Sequence, residues 1–247
     1  FVNGKCQPTV TGTPTAVGSF SFTITATDAN SVSGSADYTL AVAQATPVIA
    51  WATPAAIGYG TALSATQLDA AASANGAAVA GTFTYTPAAG AVLDAGTQKL
   101  AVSFAPTDAT DYTAATGSVN LTVNPAATAT ALSADASSVT AGDALTLTAA
   151  VTSIAGTPTG TVSFHDGTTL LGTGTLSAGT ATYATSTLAT AAHSLTASYA
   201  GAGNFAASTS GTAVAVTVTA APAPFTASTQ GQTTTQTVAP GAAANFA

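Results

Sequence analysis

The chain has 247 residues, 47% of them hydrophobic but only 4% charged, where a soluble domain usually carries about a quarter. Its nine acids are all Asp, its bases are Lys5 and Lys99, and the net charge of −7 excludes a basic nucleic-acid footprint and disfavours attraction to anionic membrane surfaces. No run approaches the roughly 18 consecutive apolar residues of a membrane helix, so no membrane insertion is expected.

Met, Glu and Arg are absent. Without Met the chain is expected to be a processed or excised piece of something longer, with any export signal removed or outside it. Cys6 is the one cysteine and allows no internal disulfide. It is either a spare thiol or bonded to a residue upstream or on another chain. The scarcity of Lys leaves trypsin-like proteases almost nothing to cut, which suits a chain exposed outside cells.

In chain order, residues 1–44 read as the closing part of a module. Gly12-Thr-Pro14 marks a turn, Phe20, Phe22, Ile24 and Ala26 alternate on one face, Asp28-Ala-Asn30 turns the chain, and Tyr38, Leu40 and Val42 return it. Residues 45–124 hold a complete module. Val48 to Trp51 opens it, Phe83 and Tyr85 mark a middle strand, Pro87 to Gly90 turns, and Leu93 plugs a corner. Ala70 to Ala80 is Ala-rich, but it contains Asn75-Gly76 and has no capped apolar stripe, so loop plus a short strand is expected there rather than a helix. Residues 125–220 hold a second complete module after the Asn124-Pro125 linker. Leu145, Leu147, Ala149 and Val151 share one face, Val162 and Phe164 another, and Asp166-Gly167 signals a hairpin. Residues 221–247 follow the stiff Ala221-Pro-Ala-Pro224 linker and read, from Phe225 to Phe246, as opening strands of a further module.

Three stretches repeat one another. Leu195, Ala197 and Tyr199 followed by Val214, Val216 and Val218 give period two on both sides of a loop. Leu100, Val102 and Phe104 with Val119, Leu121 and Val123 do the same, as does Phe20 to Val42. Ser103-Phe104-Ala105 aligns with Ser198-Tyr199-Ala200, and Asp111-Tyr112 with Asn204-Phe205. Short strands with turn signals every 8–12 residues or so indicate β-sandwiches in tandem. The expected core of the 125–220 module is Leu147, Val162, Phe164, Leu195 and Tyr199.

These residues resemble bacterial immunoglobulin-like repeats. Gly12 to Asp28 resembles the end of Ig-like repeats of long bacterial surface proteins. Ile49-Ala-Trp51 through Pro106-Thr-Asp-Ala-Thr-Asp-Tyr112 resembles a second type. Gly156-Thr-Pro-Thr-Gly-Thr-Val-Ser-Phe164, with Asp166-Gly167 and Tyr199 to Phe205, resembles a third. The resemblance covers nearly the whole chain and implies an all-β fold of tandem Ig-like antiparallel β-sandwiches. Such modules sit in secreted or surface-anchored arrays as spacers, adhesin stalks or accessory modules of secreted enzymes. The loop Gly201-Ala-Gly-Asn204 departs from the pattern by lacking the Asp often seen there, which weakens a cation site in that module.

Chemistry is sparse. Every Asp is read in or beside a turn signal, where its side chain bonds the local backbone. His165 and His193 lack companion ligands and are expected at exposed strand ends. Gly172-Thr-Gly174 is a glycine match inside a hairpin rather than before a helix. Asp108 and Asp111 are the candidate metal ligands, two carboxylates where calcium needs six to eight oxygens. Trp51 is the candidate ligand-binding residue, as a sugar-stacking platform, against a place in the core or at a junction. Lys99 alternates with Leu100 and Val102, so it points outward and is unsuited to a buried isopeptide bond. No cofactor, no catalytic residue and no enzyme activity is expected.

Outward strand positions are Thr, Ser and Ala, without the charges that usually protect strand edges. Either an assembly covers those edges or glycans decorate the hydroxyls, which would raise the intact mass above 23.4 kDa by whole sugar units. The expected function is an extracellular structural array, a spacer, stalk or filament subunit of a bacterial surface adhesin or fibre. The alternative is a set of accessory modules, carbohydrate-binding or spacing, of a secreted polysaccharide-degrading enzyme. Expected partners are copies of the chain or neighbouring modules of the same protein, with surface glycans as a further candidate. One route to self-association is pairing of the 225–247 tail of one chain with the incomplete head of the next.

Overall fold

A computed structural model of the chain describes residues 11–222. All regular structure among them is β-strand. The first element is a hairpin of β1 (Gly18–Thr27) and β2 (Ser33–Val42), paired antiparallel from Gly18 opposite Val42 to Thr27 opposite Ser33. Asp28 closes its turn: Oδ1 accepts the backbone N–H of Asn30 and of Val32, each at 2.9 Å.

The second unit contains β3 (Val48–Ala50), β4 (Ile57–Gly58), β5 (Ala71–Ala74), β6 (Ala77–Ala78), β7 (Gly81–Thr86), β8 (Gly96–Pro106) and β9 (Ala115–Asn124). One sheet has the order β3-β5-β6 and the other β4-β9-β8-β7. The third unit contains β10 (Ala129–Ala134), β11 (Ser138–Thr140), β12 (Leu145–Thr152), β13 (Thr161–Asp166), β14 (Thr169–Thr175), β15 (Thr180–Thr185), β16 (Ala192–Tyr199), β17 (Ser208–Thr209) and β18 (Val214–Thr219). Its sheets run β10-β12-β15 and β11-β18-β16-β13-β14, with β17 beside β16. In both units the opening segment serves both sheets. Its first strand pairs antiparallel in the smaller sheet, and its second runs parallel to the last strand, β4 on β9 and β11 on β18.

Alternation decides what each sheet buries. β12 buries Leu145, Leu147, Ala149 and Val151, and facing it β13 and β16 bury Val162, Phe164, Leu195, Ala197 and Tyr199, all 1% exposed or less. The five expected core residues therefore meet between the two sheets. Each large side chain so buried contributes about 1.5–3 kcal/mol. Tyr199 keeps its hydroxyl satisfied by donating to the carbonyl of Thr159 at 2.8 Å. The second unit packs Leu63, Leu68, Leu100, Leu121 and Val123 in a separate core, with Leu93 partly buried against it. Lys99 is exposed, as its parity requires.

Three local features differ from the sequence expectation. Ala70 to Ala80 forms a hairpin, β5 to β6, because Asn75 (φ 51°) and Gly76 (φ 81°) both take the left-handed conformation of a type I′ turn. The β13–β14 hairpin turns on Gly167-Thr168, one residue later than Asp166-Gly167. Asp37 lies in mid-strand rather than at a turn, where its carboxylate accepts the Thr23 hydroxyl at 2.6 Å. Gly174 sits in β14 because a Cβ there would lie 2.7 Å from the Thr182 carbonyl oxygen. The apolar face of β1–β2 is partly exposed: Phe20, Tyr38 and Leu40 are each 46% exposed, and Phe22 and Ile24 are half-buried. Cys6 and the strands expected from Phe225 to Phe246 lie outside the described residues.

Candidate functional site

Asp108 and Asp111 stand in one loop, between β8 and β9. Asp108 is exposed, and its Oδ1 accepts the N–H of Thr110 at 3.0 Å and of Asp111 at 3.1 Å. Asp111 Oδ1 reaches out of the unit and accepts the N–H of Val17 at 3.1 Å. Among the described residues no group of three or more His, Cys, Asp or Glu gathers there or elsewhere. Trp51 is half-buried against the second core; its Nε1 donates to the Gln67 carbonyl at 3.0 Å and its ring meets Tyr85 edge-on at 5.3 Å.

His193 corrects an expectation. It is buried rather than exposed, 9% accessible, at the start of β16. Nδ1 lies 2.7 Å from Asp166 Oδ2 and Nε2 lies 2.8 Å from the Ala189 carbonyl oxygen. Both neighbours are acceptors, so the imidazolium, with two N–H donors, satisfies both. The Ala189 carbonyl first, and the Asp166 carboxylate next, hold the His193 pKa above its usual value. The hydrogen bond from His193 lowers that of Asp166, whose Oδ1 also accepts the Ser194 N–H at 3.1 Å. Asp166 at the end of β13 and His193 in β16 are brought together by strand pairing, and only the fold reveals the pair. His165, the neighbour of Asp166, is half-buried.

A second arrangement recurs at both boundaries between units. The loop carrying Asp111-Tyr112 holds the entering chain of its own unit. Ala45 N–H donates to Asp111 O at 2.9 Å and Thr113 N–H to Ala45 O at 3.0 Å. The loop carrying Asn204-Phe205 repeats this: Ala126 N–H donates to Asn204 O at 2.8 Å and Ala206 N–H to Ala126 O at 2.9 Å. The side chains then reach the preceding unit. Asn204 Oδ1 accepts the Ala95 N–H at 2.7 Å, matching Asp111 on Val17, and Asn204 Nδ2 donates to Asp94 Oδ1 at 2.8 Å. Phe205 meets Tyr59 of the second unit edge-on, centroids 5.8 Å apart. Gly60 lies so close to Ala155 that a Cβ on it would be 3.0 Å from the Ala155 Cβ.

Asp111-Tyr112 and Asn204-Phe205 were legible as an aligned pair. Their targets, Val17, Asp94, Ala95 and Tyr59, were not. A signal existed in the glycines that begin two of the closing hairpins, Gly18 and Gly96, since the target backbone N–H belongs to the residue before each.

Residues 132–219 match the model of the family described as "Bacterial Ig-like domain (group 3)", and residues 7–43 match that described as "Putative Ig domain". Among solved structures, the Clostridium thermocellum CbhA fibronectin(III)-like modules are similar at 24% identity, over 36% of this chain and 94% of theirs, with a TM-score of 0.30. Domains 4 and 5 of the S-layer protein SbsC are similar at 14% identity, over 57% of this chain and 77% of theirs, with a TM-score of 0.22. No curated protein matches the sequence.

Proposed function

From the premise that this chain belongs to the bacterial Ig-like domain proteins, matched over residues 7–43 and 132–219, we propose that it is an extracellular spacer. In this reading it is a stalk segment of a surface adhesin or fibre, divided into modules at residues 45, 125 and 221. The observation that carries the reading is the serial arrangement of two separate hydrophobic cores. Between them runs a short linker whose backbone is hydrogen-bonded into the following unit. A linker held in this way transmits orientation and tension from one unit to the next, whereas a free Gly/Ser linker would not.

The groups capable of chemistry are spent on structure, which favours a non-catalytic role. His193 and Asp166 tie two strands together, and the Trp51 N–H is committed to Gln67. The hydroxyls of the β1–β2 hairpin bond one another across the strands, Thr25 to Ser35 at 3.0 Å and Thr27 to Ser33 at 2.8 Å. The exposed apolar face of that hairpin is where a neighbouring module of the same protein would pack. Immunogold labelling of intact producing cells with antibody to residues 125–220 tests the reading. Label on surface fibres is expected. Label only after lysis would overturn it, and recovery of the chain in the medium fused to a polysaccharide-degrading domain would replace it with the accessory-module role.

A further inference from the structure

The two junctions can be superposed by register. Gly18 pairs with Val42 at the first, and Gly96 with Val123 at the second. Counting from these pairs, Val17 corresponds to Ala95, Ala45 to Ala126, and Ala16 to Asp94. Asp111 and Asn204 then do the same thing at equivalent places, each accepting the N–H just before the closing hairpin. At the reaching contact the two junctions differ in charge pattern. Where the preceding unit offers Ala16, the reaching residue is Asp; where it offers Asp94, the reaching residue is Asn.

We propose that these pairs, Ala16 with Asp111 and Asp94 with Asn204, form a matching code that decides whether each module docks on the one before it. Asn204 has to accept from the Ala95 N–H and donate to the Asp94 carboxylate at once. Of the two side chains of that shape, only the amide carries both an acceptor and a donor. An aspartate at 204 would place a second carboxylate at hydrogen-bonding distance from the Asp94 carboxylate. The resulting like-charge repulsion opposes docking. At the first junction Ala16 brings no charge, so the Asp111 carboxylate is accepted and an amide would serve equally. The code is therefore asymmetric: an alanine end accepts either residue, and an aspartate end accepts only asparagine. This accounts for the departure of Gly201-Ala-Gly-Asn204 from an aspartate-bearing loop without calling on a cation. The tyrosine–phenylalanine contact between Tyr59 and Phe205 adds apolar area to the junction but no selection by charge.

The code deepens the spacer reading and rests on it only for its purpose. The cell-labelling experiment can fail while the contacts stand, and the reverse. The test is amide hydrogen exchange at Ala95 in the full 247-residue chain at pH 7. Four forms are compared: unmodified, Asn204→Asp, Asp94→Ala, and the double variant. Asn204→Asp is expected to speed Ala95 exchange about tenfold. Asp94→Ala alone, and the double variant, should stay within about threefold of the unmodified chain. Protection in the β8–β9 and β12–β15 ladders reports that both units remain folded. An unchanged rate in Asn204→Asp, or a double variant as fast as Asn204→Asp, would overturn the code. The code is also transplanted to the first junction, independently of any folding defect in the third unit. Ala16→Asp should speed exchange at Val17, and adding Asp111→Asn should restore it. Failure of that rescue overturns the proposal as well.

Discussion

Leu147 shows at single-residue scale how the third unit is held together. It lies in β12, fully buried, opposite Tyr183 of β15, and its side chain belongs to the 145–216 core. Leu147→Ala removes buried area and leaves a cavity, so a loss of about 2–5 kcal/mol is expected in denaturant unfolding. A loss under about 0.5 kcal/mol, the surface range, would show that the side chain is not in the core. The His193–Asp166 pair adds a pH dependence. The raised His193 pKa contributes stability that is complete below the ordinary histidine value, about 6.5, and is lost as pH rises through the folded value. The lowered Asp166 pKa contributes stability that is complete above the ordinary aspartate value, about 3.9, and is lost as pH falls through the folded value. The pair is therefore most stabilising between roughly pH 4 and pH 6.5. Melting temperatures measured against pH should show this maximum, and His193→Gln should flatten it. A profile unaltered by that substitution would place the dependence elsewhere.

At the scale of single elements, turn chemistry governs what a strongly apolar, nearly uncharged sequence can form. The β5–β6 hairpin turns through Asn75 and Gly76, and Gly76 at φ 81° has open space around its missing Cβ. Gly76→Ala therefore meets no clash, and its cost is conformational, about 1 kcal/mol. It should appear as a small drop in the melting of the second unit with the third unaffected. Alternation made the long strands legible: β8, β9, β12 and β16 bury the residues that parity selects. The short strands were less so, because β6 and β17 span only two residues each and carry no periodicity. The buried His193 was illegible for another reason. Its partner lies 27 residues away and is brought to it by register rather than by spacing. Alternation also placed Phe20, Phe22 and Ile24 on one face, but whether a face is covered depends on what packs against it. In β1 Phe20 is exposed while Phe22 and Ile24 are half-buried.

At the scale of the whole molecule, the sequence showed tandem repeats, and the structure adds how consecutive repeats are joined. The reaching side chains Asp111 and Asn204 lie in loops that alignment already paired, yet their partners are defined only once the closing hairpins are in register. The proposed spacer role rests on this arrangement. Separate cores in series, each with its own sheets, are expected to let the chain yield one unit at a time. Pulling a single full-length chain by its ends tests this most directly. Two principal unfolding steps are expected. They should release about 25 nm for the unit from Val48 to Asn124 and about 30 nm for the unit from Ala129 to Thr219, at some 3.3–3.6 Å per extended residue. A single concerted step of the summed length, or smooth extension with no step, would contradict it.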